Sequence, residues 1–299
     1  MEPPAVDLPD NDDPFSDEDF EERDAASWRG HYPLPNDDQE QSREELLHLL
    51  FVGVLNGKYY LAPIGSNPQK IIDLGTGTGS WAIEVAEKFP GAEVVGVDLS
   101  PIQPDWCPPN LRFHVDNIED DWVYGSGFDY IHLRHMALTM KSPATLLTTA
   151  YDKTKSGGWI EFQDLLLNLS CDDDALPPDY VLPQIPQLTK ESLKSLDFDV
   201  DFVDRLPLEL ERAGFINVRR EVFKVPVGAW PRNEKMRYFG LMAREVLVEL
   251  LRPLASKPFQ SLGIPQSDLN AIVSEAEDAF DHIDHHIYVE FGIVYAQKP

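Results

Sequence analysis

Cysteine and basic residues are scarce in this sequence of 299 residues. The two cysteines, Cys107 and Cys171, are too few for a disulfide framework and are typical of a reducing compartment such as the cytosol or nucleus. Lysine and arginine number 25 against 52 aspartates and glutamates, so the formal net charge is -27. Because such a surface repels nucleic acids and anionic membranes, the composition argues against either as a direct partner and favours a cationic ligand or a basic protein.

Long apolar stretches are also missing. The longest, residues 46–55, contains His48 and is too short to span a bilayer, and the N-terminus is acidic, unlike a secretory signal. Residues 1–24 hold eleven aspartates and glutamates against one arginine, and such a segment cannot bury enough apolar area to fold alone. We therefore predict a cytoplasmic or nuclear protein without membrane association. Its N-terminus is predicted to be a disordered acidic tail, with a protein-binding arm as the alternative.

The strongest positive signal is a glycine-rich turn. Residues 71–81 read Ile-Ile-Asp-Leu-Gly-Thr-Gly-Thr-Gly-Ser-Trp, and after Gly79 the apolar residues recur at helical spacing. Glycines are needed there because the turn demands unusual backbone angles, and because a side chain would hold the chain away from a ligand at the helix N-terminus. The pattern predicts a buried strand, a tight turn and a helix that together bind a nucleotide-type cofactor.

Acidic residues follow the next two predicted strands. Asp98 ends the second strand, nineteen positions after Gly79, where a carboxylate can accept hydrogen bonds from both ribose hydroxyls of an adenosine group. Residues 116–118, Asp-Asn-Ile, follow the third strand and are suited to bind an adenine edge and ring. An Asx turn that begins the next helix explains the same three residues equally well.

Two further strand ends supply candidate site residues. Arg134 and His135 come just after the fourth strand, and ligands in open α/β sheets bind at the carboxyl ends of the strands. The fifth strand, entered after a glycine pair, leaves Glu161, Gln163 or Asp164 able to face the same cleft.

Helices are predicted before and after this core. An amphipathic helix covers residues 38–59, and two more fall in residues 226–284 before a last strand at 287–295, as a lid or a partner-binding surface. We divide the chain after the tail into an N-terminal cap (25–66), a core (67–225 with 285–299) and a helical insert (226–284). The histidines and aspartates of residues 281–286 match no standard metal site, so we predict a polar turn and no metal.

The spacing of the glycines separates two cofactors. A nicotinamide dinucleotide needs a G-x-G-x-x-G turn that seats its pyrophosphate, whereas this chain has G-x-G-x-G. S-adenosylmethionine has no phosphate, and its sulfonium is a cation that an acidic cleft attracts. Asp73, Asp98 and Asp116 around one site would repel a pyrophosphate. The residues therefore favour S-adenosylmethionine over a dinucleotide, and a nicotinamide oxidoreductase is the less favoured hypothesis.

Residues 73–79, with Asp98 and the pair Asp116 and Asn117, resemble the class I S-adenosylmethionine-dependent methyltransferases. Longer blocks resemble the fungal LaeA-like group within that class, and the resemblance extends over residues 28–299. These blocks are Tyr-Pro-Leu-Pro-Asn-Asp (32–37), Leu-Ala-Pro-Ile-Gly (61–65), Asp-Leu-Ser-Pro-Ile-Gln-Pro (98–104), Gly-Gly-Trp-Ile-Glu (157–161) and Gly-Ala-Trp-Pro (228–231).

The resemblance implies a Rossmann-like, doubly wound α/β fold with a seven-stranded, mostly parallel sheet and an antiparallel last strand. It also implies that the three glycines hold the methionine part of the cofactor, Asp98 the ribose and residues 116–118 the adenine, while Arg134 borders the reactive methyl. The full set of implied cofactor residues is Asp73, Gly75, Thr76, Gly77, Gly79, Asp98, Leu99, Asp116, Asn117, Ile118 and Arg134.

For catalysis we predict that His135 is a base for a hydroxyl acceptor, since its ordinary pKa is suitable, and that Tyr32 and Glu161 orient the acceptor. A purely structural histidine is the alternative. No Asn-Pro-Pro-Tyr signature follows the fourth strand, which argues against methylation of nucleobases or glutamine. The first hypothesis is methyl transfer to an oxygen or nitrogen of a small molecule in fungal secondary metabolism. The second is a cofactor-binding regulator that acts through protein partners held by the acidic tail or the helical insert.

Overall fold

The computed structural model describes residues 34–172, 176–177, 180–282 and 285–299. The predicted acidic tail and Tyr32 lie outside these ranges. Seven strands form the sheet, namely β1 (Lys70–Leu74), β2 (Glu93–Asp98), β3 (Leu111–Val115), β4 (Phe128–Arg134), β5 (Thr154–Cys171), β6 (Ile216–Pro226) and β7 (Ile287–Gln297).

The strands lie in the order β3-β2-β1-β4-β5-β7-β6. Strands β1 to β5 pair in parallel, and β7 runs antiparallel to both β5 and β6. This arrangement confirms the predicted fold class, including the reversed last strand. The chain leaves β1 toward β2 on one side and returns to β4 on the other, so the carboxyl ends of β1 and β4 flank the crevice where open α/β sheets bind ligands.

Helices cover both faces and the carboxyl edge of the sheet. They are α1 (Asp38–Val54), α2 (Ser80–Lys88), α3 (Pro143–Lys153), α4 (Gln184–Ser195), α5 (Phe202–Arg212), α6 (Glu234–Ala255), α7 (Lys257–Gln260) and α8 (Gln266–Asp281). Helices α6 to α8 lie within residues 226–284, where two helices were predicted and the structure adds the short α7. No helix in the described ranges has both the length and the apolar character needed to cross a membrane.

Two elements differ from their predicted extents. Helix α1 ends at Val54 rather than residue 59, because Asn56 and Gly57 both adopt positive φ and turn the chain away. Strand β5 begins before its glycine pair and runs on to Cys171. Its extra length is paired along β7, which supplies backbone hydrogen bonds after β4 has ended.

Helix α1 is held above the sheet by a hydrophobic cluster that it shares with other elements. Leu47, Leu50 and Phe51 are buried among side chains of α4, α6, α8 and β7, and the rings of Phe51 and Phe291 stack with centroids 4.0 Å apart. Burial of one such aromatic side chain contributes about 1.5 to 3 kcal/mol. The helix that precedes the sheet in sequence is therefore packed over the carboxyl ends of its strands.

Candidate cofactor and acceptor site

One cavity lies beneath α1 at the carboxyl ends of β1 to β5, and it has two chemically different ends. The polar end follows β1, β2 and β3 and includes Glu40, Arg43, Glu44, Gly75, Thr76, Gly77, Asp98, Leu99, Asp116, Asn117, Ile118 and Arg134. The apolar end follows β4 and β5 and takes further residues from α4 and α6. Its apolar side chains are Leu34, Met136, Leu138, Met140, Leu165, Leu167, Leu193, Phe198, Leu250 and Leu254.

The glycine turn leaves no space for side chains. Gly75, Gly77 and Gly79 all have positive φ, and an added Cβ at Gly77 would lie 2.7 Å from Glu44 Oε2. At Gly79 the added Cβ would lie 2.5 Å from the Phe113 ring, inside the protein. Gly75 and Gly77 therefore line the cavity with bare backbone, whereas Gly79 allows α2 to pack against β3.

Asp98 ties the glycine turn to strand β2. Its Oδ2 accepts a hydrogen bond from Gly77 N at 2.8 Å, and its Oδ1 accepts one from Ser100 N at 2.9 Å. Burial raises the pKa of Asp98, while these two N–H groups oppose the rise. Gln103 completes the turn by donating to Gly77 O at 2.7 Å. Gln103 belongs to the block of residues 98–104, and its role was not predicted from the sequence.

Asp73 stands behind the turn and does not line the cavity. It is buried, and its two oxygens accept hydrogen bonds from Thr76 Oγ1 and His132 Nδ1, both at 2.7 Å. The His132 ring in turn stacks on Trp81, with centroids 3.7 Å apart. The structure therefore places Asp73 as a support of the turn rather than as a wall of the cavity.

The residues after β3 form the Asx turn that was one alternative, but no helix begins at these described residues, since the next helix is α3. Asp116 accepts from its neighbour Asn117 N and, through Oδ2, from Tyr124 Oη at 2.7 Å. Asn117 Oδ1 accepts from Glu119 N at 3.1 Å, which is an Asx turn. Residues 116–118 also line the cavity. The turn geometry and the position expected for an adenine site are therefore compatible.

Arg134 is held by a chain of hydrogen bonds that the sequence did not predict. Its Nη1 donates to His48 Nδ1 at 2.9 Å, so the proton of this imidazole lies on Nε2, which donates to Glu84 Oε2 at 2.9 Å. Burial, with the nearby Arg134 charge, lowers the pKa of His48 to about 3. The only sequence signal for this contact is the polar His48 within the apolar run of α1.

His135 lines the cavity directly after β4. It has a φ of 58°, its ring meets Phe51 edge-on with centroids 5.0 Å apart, and its buried Nε2 has no hydrogen-bond partner within the described chain. Burial, and secondly the Arg134 charge, hold the pKa of His135 well below 6.5. The imidazole is therefore neutral at physiological pH and a weak proton acceptor.

Glu161 differs most from its predicted place. It is fully buried and does not line the cavity. Its carboxylate accepts hydrogen bonds from Leu61 N, from Ala62 N at 2.7 Å and from Gln163 Nε2 at 2.8 Å. Its structural effect is to fix residues 61 and 62 to the sheet, so the described structure does not place it to orient an acceptor.

Asp164 is the acidic residue of β5 that reaches the cavity. Its Oδ1 accepts from Ala137 N at 3.0 Å, and its Oδ2 has no hydrogen-bond partner among the described residues. Burial raises the pKa of Asp164 to about 7, against the opposing effect of the Ala137 N–H. From the sequence, Asp164 was only one of three residues able to face the cleft.

Comparison with known proteins agrees with this geometry. A family model described as "Methyltransferase domain" matches residues 47–220. The chain is 34% identical over 272 residues to "Methyltransferase pytC" of Aspergillus terreus, which covers 90% of this chain and 84% of that protein. It is 35% identical over 251 residues to "Secondary metabolism regulator LAE1" of Cochliobolus heterostrophus, which covers 82% of this chain and 81% of that protein.

Each of the two relatives covers more than four fifths of this chain, and the residues that the family model matches include the glycine turn, Asp98 and residues 116–118. These matches confirm the resemblance noted in the sequence, and with it S-adenosylmethionine as the cofactor. The chain belongs to the methyltransferase-domain family and, within it, is related to the fungal LaeA-like proteins.

Proposed function

We propose that this protein transfers a methyl group from S-adenosylmethionine to an oxygen or nitrogen of a small molecule with an apolar body, in fungal secondary metabolism. The observation that carries the proposal is the single cavity in which bare glycine backbone and acidic side chains continue into a chamber of leucine, methionine and phenylalanine side chains. Small-molecule sites combine a mainly apolar wall with a few placed polar groups in this way.

The polar end fits the cofactor in shape and in charge. The backbone at Gly77 is bare where a side chain would fill the space, and the acidic groups suit a cationic sulfonium that carries no phosphate. In this proposal Gly75, Gly77 and Thr76 hold the methionine part. The ribose lies at Asp98 and Leu99, and the adenine at residues 116–118. Asp73 and Gly79 act by shaping the turn, and Arg134 borders the methyl group.

The bound cofactor supplies an activated methyl group, so the protein has to position the acceptor, exclude water and take up one proton. His135 is a poor base because its pKa lies far below physiological pH. Asp164, whose pKa is near 7, matches the pH at which a general base works best. We therefore assign the proton to Asp164 and a positioning role to His135.

A second function is supported by the relative named as a regulator. Tyr238 and Leu241, three positions apart on α6, are exposed apolar side chains of the helical insert. Such residues on one helix face are suited to a protein partner. The alternative is thus a cofactor-binding regulator of secondary metabolism that acts on, or through, a bound protein.

An experiment can distinguish the two functions by identifying the molecule that receives the methyl group. The purified protein is incubated with tritium-labelled S-adenosylmethionine and an organic extract of a fungal culture. Label in the organic phase supports the small-molecule function, whereas label only on added fungal proteins supports the alternative. Failure of S-adenosylhomocysteine to bind in a calorimeter would contradict both.

A further inference from the structure

Glu44 brings a carboxylate from helix α1 to the glycine turn. Its Oε2 occupies the space beside Gly77, 2.7 Å from the position that a Cβ there would take. The side chain lines the polar end of the cavity together with Asp98. Glu44 is therefore an ionisable side chain of α1 that faces the expected position of the cofactor's methionine part.

This carboxylate has no hydrogen bond or close ion pair with any described residue. The two nearby arginines, Arg43 and Arg134, donate hydrogen bonds to other residues. Arg43 donates to both oxygens of Glu40, at 2.8 and 2.6 Å, and Arg134 donates to His48. Glu44 is thus a partly buried acid whose oxygens accept no hydrogen bond from the part of the chain that the structure describes. Such a group is costly unless a ligand supplies the missing donor.

Burial is the main cause of this cost. Burial raises the pKa of Glu44 to about 7, the charges on Asp98 and Glu40 raise it further, and the charges on Arg43 and Arg134 oppose them. Near neutral pH the group is therefore about half protonated. A cation that entered the cavity would bring it to its ionised form.

We propose that Glu44 binds the ammonium group of the cofactor's methionine part and so couples helix α1 to cofactor binding. The proposal rests on the proposed function, because it takes S-adenosylmethionine or its product as the ligand. The ammonium is chosen over the sulfonium because it donates hydrogen bonds, which the free carboxylate oxygens can accept at the turn that holds the methionine.

At any pH at which Glu44 is protonated in the free protein, binding of the ligand then releases that proton. The affinity for the ammonium-bearing ligand consequently rises with pH through about 7 and levels off once Glu44 is ionised. The groups that act on this titration are Glu40 and Arg43 on α1, Asp98 on β2 and Arg134 on β4.

The test compares Glu44→Gln with Glu45→Gln, a matched change at the exposed neighbouring position of the same helix. Calorimetry at pH 8 measures three ligands: S-adenosylhomocysteine, its deaminated analogue and 5′-methylthioadenosine, which lacks the amino-acid part. We expect Glu44→Gln to weaken the binding of S-adenosylhomocysteine by about 10- to 50-fold. The binding of the other two ligands should weaken by less than twofold. Glu45→Gln leaves all three unchanged.

The pH dependence gives an independent readout. Between pH 6 and pH 8 the affinity of the unmodified protein for S-adenosylhomocysteine is expected to rise about five- to tenfold, and that of Glu44→Gln to stay flat. The analogues without the ammonium should show no rise that depends on Glu44. This comparison removes the contribution of Asp98, whose ribose contact all three ligands share.

Three results would overturn the assignment: an unchanged affinity of Glu44→Gln for S-adenosylhomocysteine, an equal loss for all three ligands, or a loss shared by the deaminated analogue. Failure of the proposed function has a different signature, because the unmodified protein would then bind none of the three. Thermal unfolding of both variants checks that α1 remains packed.

Discussion

The two ends of the cavity are built in different ways. The floor of the polar end is made from the ends of β1, β2 and β3, with side chains of α1 above it, and a hydrogen bond from Gly77 N to Asp98 joins the first turn to the next strand. The apolar end is made from side chains of elements far apart in the sequence, from Leu34 to Leu254. Under the proposed function, the cofactor would be held mainly by residues close in sequence, whereas the acceptor would be held by side chains from distant parts of the chain.

The largest effect that tests this difference is expected from Gly77→Asp. The new side chain would enter the methionine position and meet the Glu44 carboxylate, so S-adenosylhomocysteine binding should be lost, at least 100-fold, while the fold persists. Calorimetry measures the loss and circular dichroism the fold. Gly57→Ala is the control, because Gly57 also has positive φ but an added Cβ there contacts nothing. Unchanged affinity in Gly77→Asp would contradict the site.

Asp164→Asn is expected to act on turnover alone. Loss of the base should lower the methyl-transfer rate by about 10²- to 10⁴-fold while the dissociation constant of S-adenosylhomocysteine stays within twofold. Because the pKa of Asp164 is raised to about 7, the carboxyl is protonated and inactive below that pH, so the rate of the unmodified protein should rise with pH through about 7.

His135→Asn is the control for this assignment, since asparagine tolerates the positive φ at this position. The variant should keep the pH profile with its midpoint near 7. A profile that loses its midpoint in His135→Asn and keeps it in Asp164→Asn would return the base to the histidine.

Asp98→Ala should weaken cofactor binding by about 1.5 to 3 kcal/mol, the usual scale for hydrogen bonds to a charged group. The loss is expected for S-adenosylhomocysteine and for 5′-methylthioadenosine alike, because both carry the ribose. Titration calorimetry with the two ligands measures it. An unaltered dissociation constant for both would exclude the ribose contact.

Leu250→Ala should have the smallest effect, and only at the apolar end. Removal of part of one wall is expected to raise the KM for an apolar acceptor by about five- to tenfold, on the order of 1 to 1.5 kcal/mol, without changing the affinity for S-adenosylhomocysteine. Leu241→Ala on the same helix is the control, because Leu241 is exposed and lies outside the cavity wall. Equal effects of the two variants on KM would show that the chamber does not bind the acceptor.

The features that the sequence predicted are those that depend on residues close in sequence. The glycine turn, the acid at the end of β2 and the last strand are local patterns, and the structure has them where they were expected. The position of Glu161 on β5 also predicts a site residue. Its carboxylate instead accepts hydrogen bonds from the backbone of residues 61 and 62, which lie 100 and 99 positions earlier in the sequence. Periodicity carries no information about such pairings.

The role of α1 was out of reach for a related reason. Its apolar stripe predicts that the helix packs on something, but not that Glu44 and His48 meet Gly77 and Arg134. Both contacts depend on how the helix is rotated above the sheet, and that rotation is set by its packing against α6 and β7. Side chains that act through a packed helix are visible only in three dimensions.

The reversed strand β7 has a consequence for synthesis on the ribosome. In the sheet, β6 is the edge strand and pairs with β7, yet β6 emerges before α6 to α8 and β7 after them. A nascent chain therefore holds β6 without its neighbour until β7 has left the ribosomal exit tunnel, and the apolar side chains that pack with Phe291 lack that contact meanwhile. Chaperone binding should consequently be concentrated between the emergence of β6 and the emergence of β7 from the ribosome.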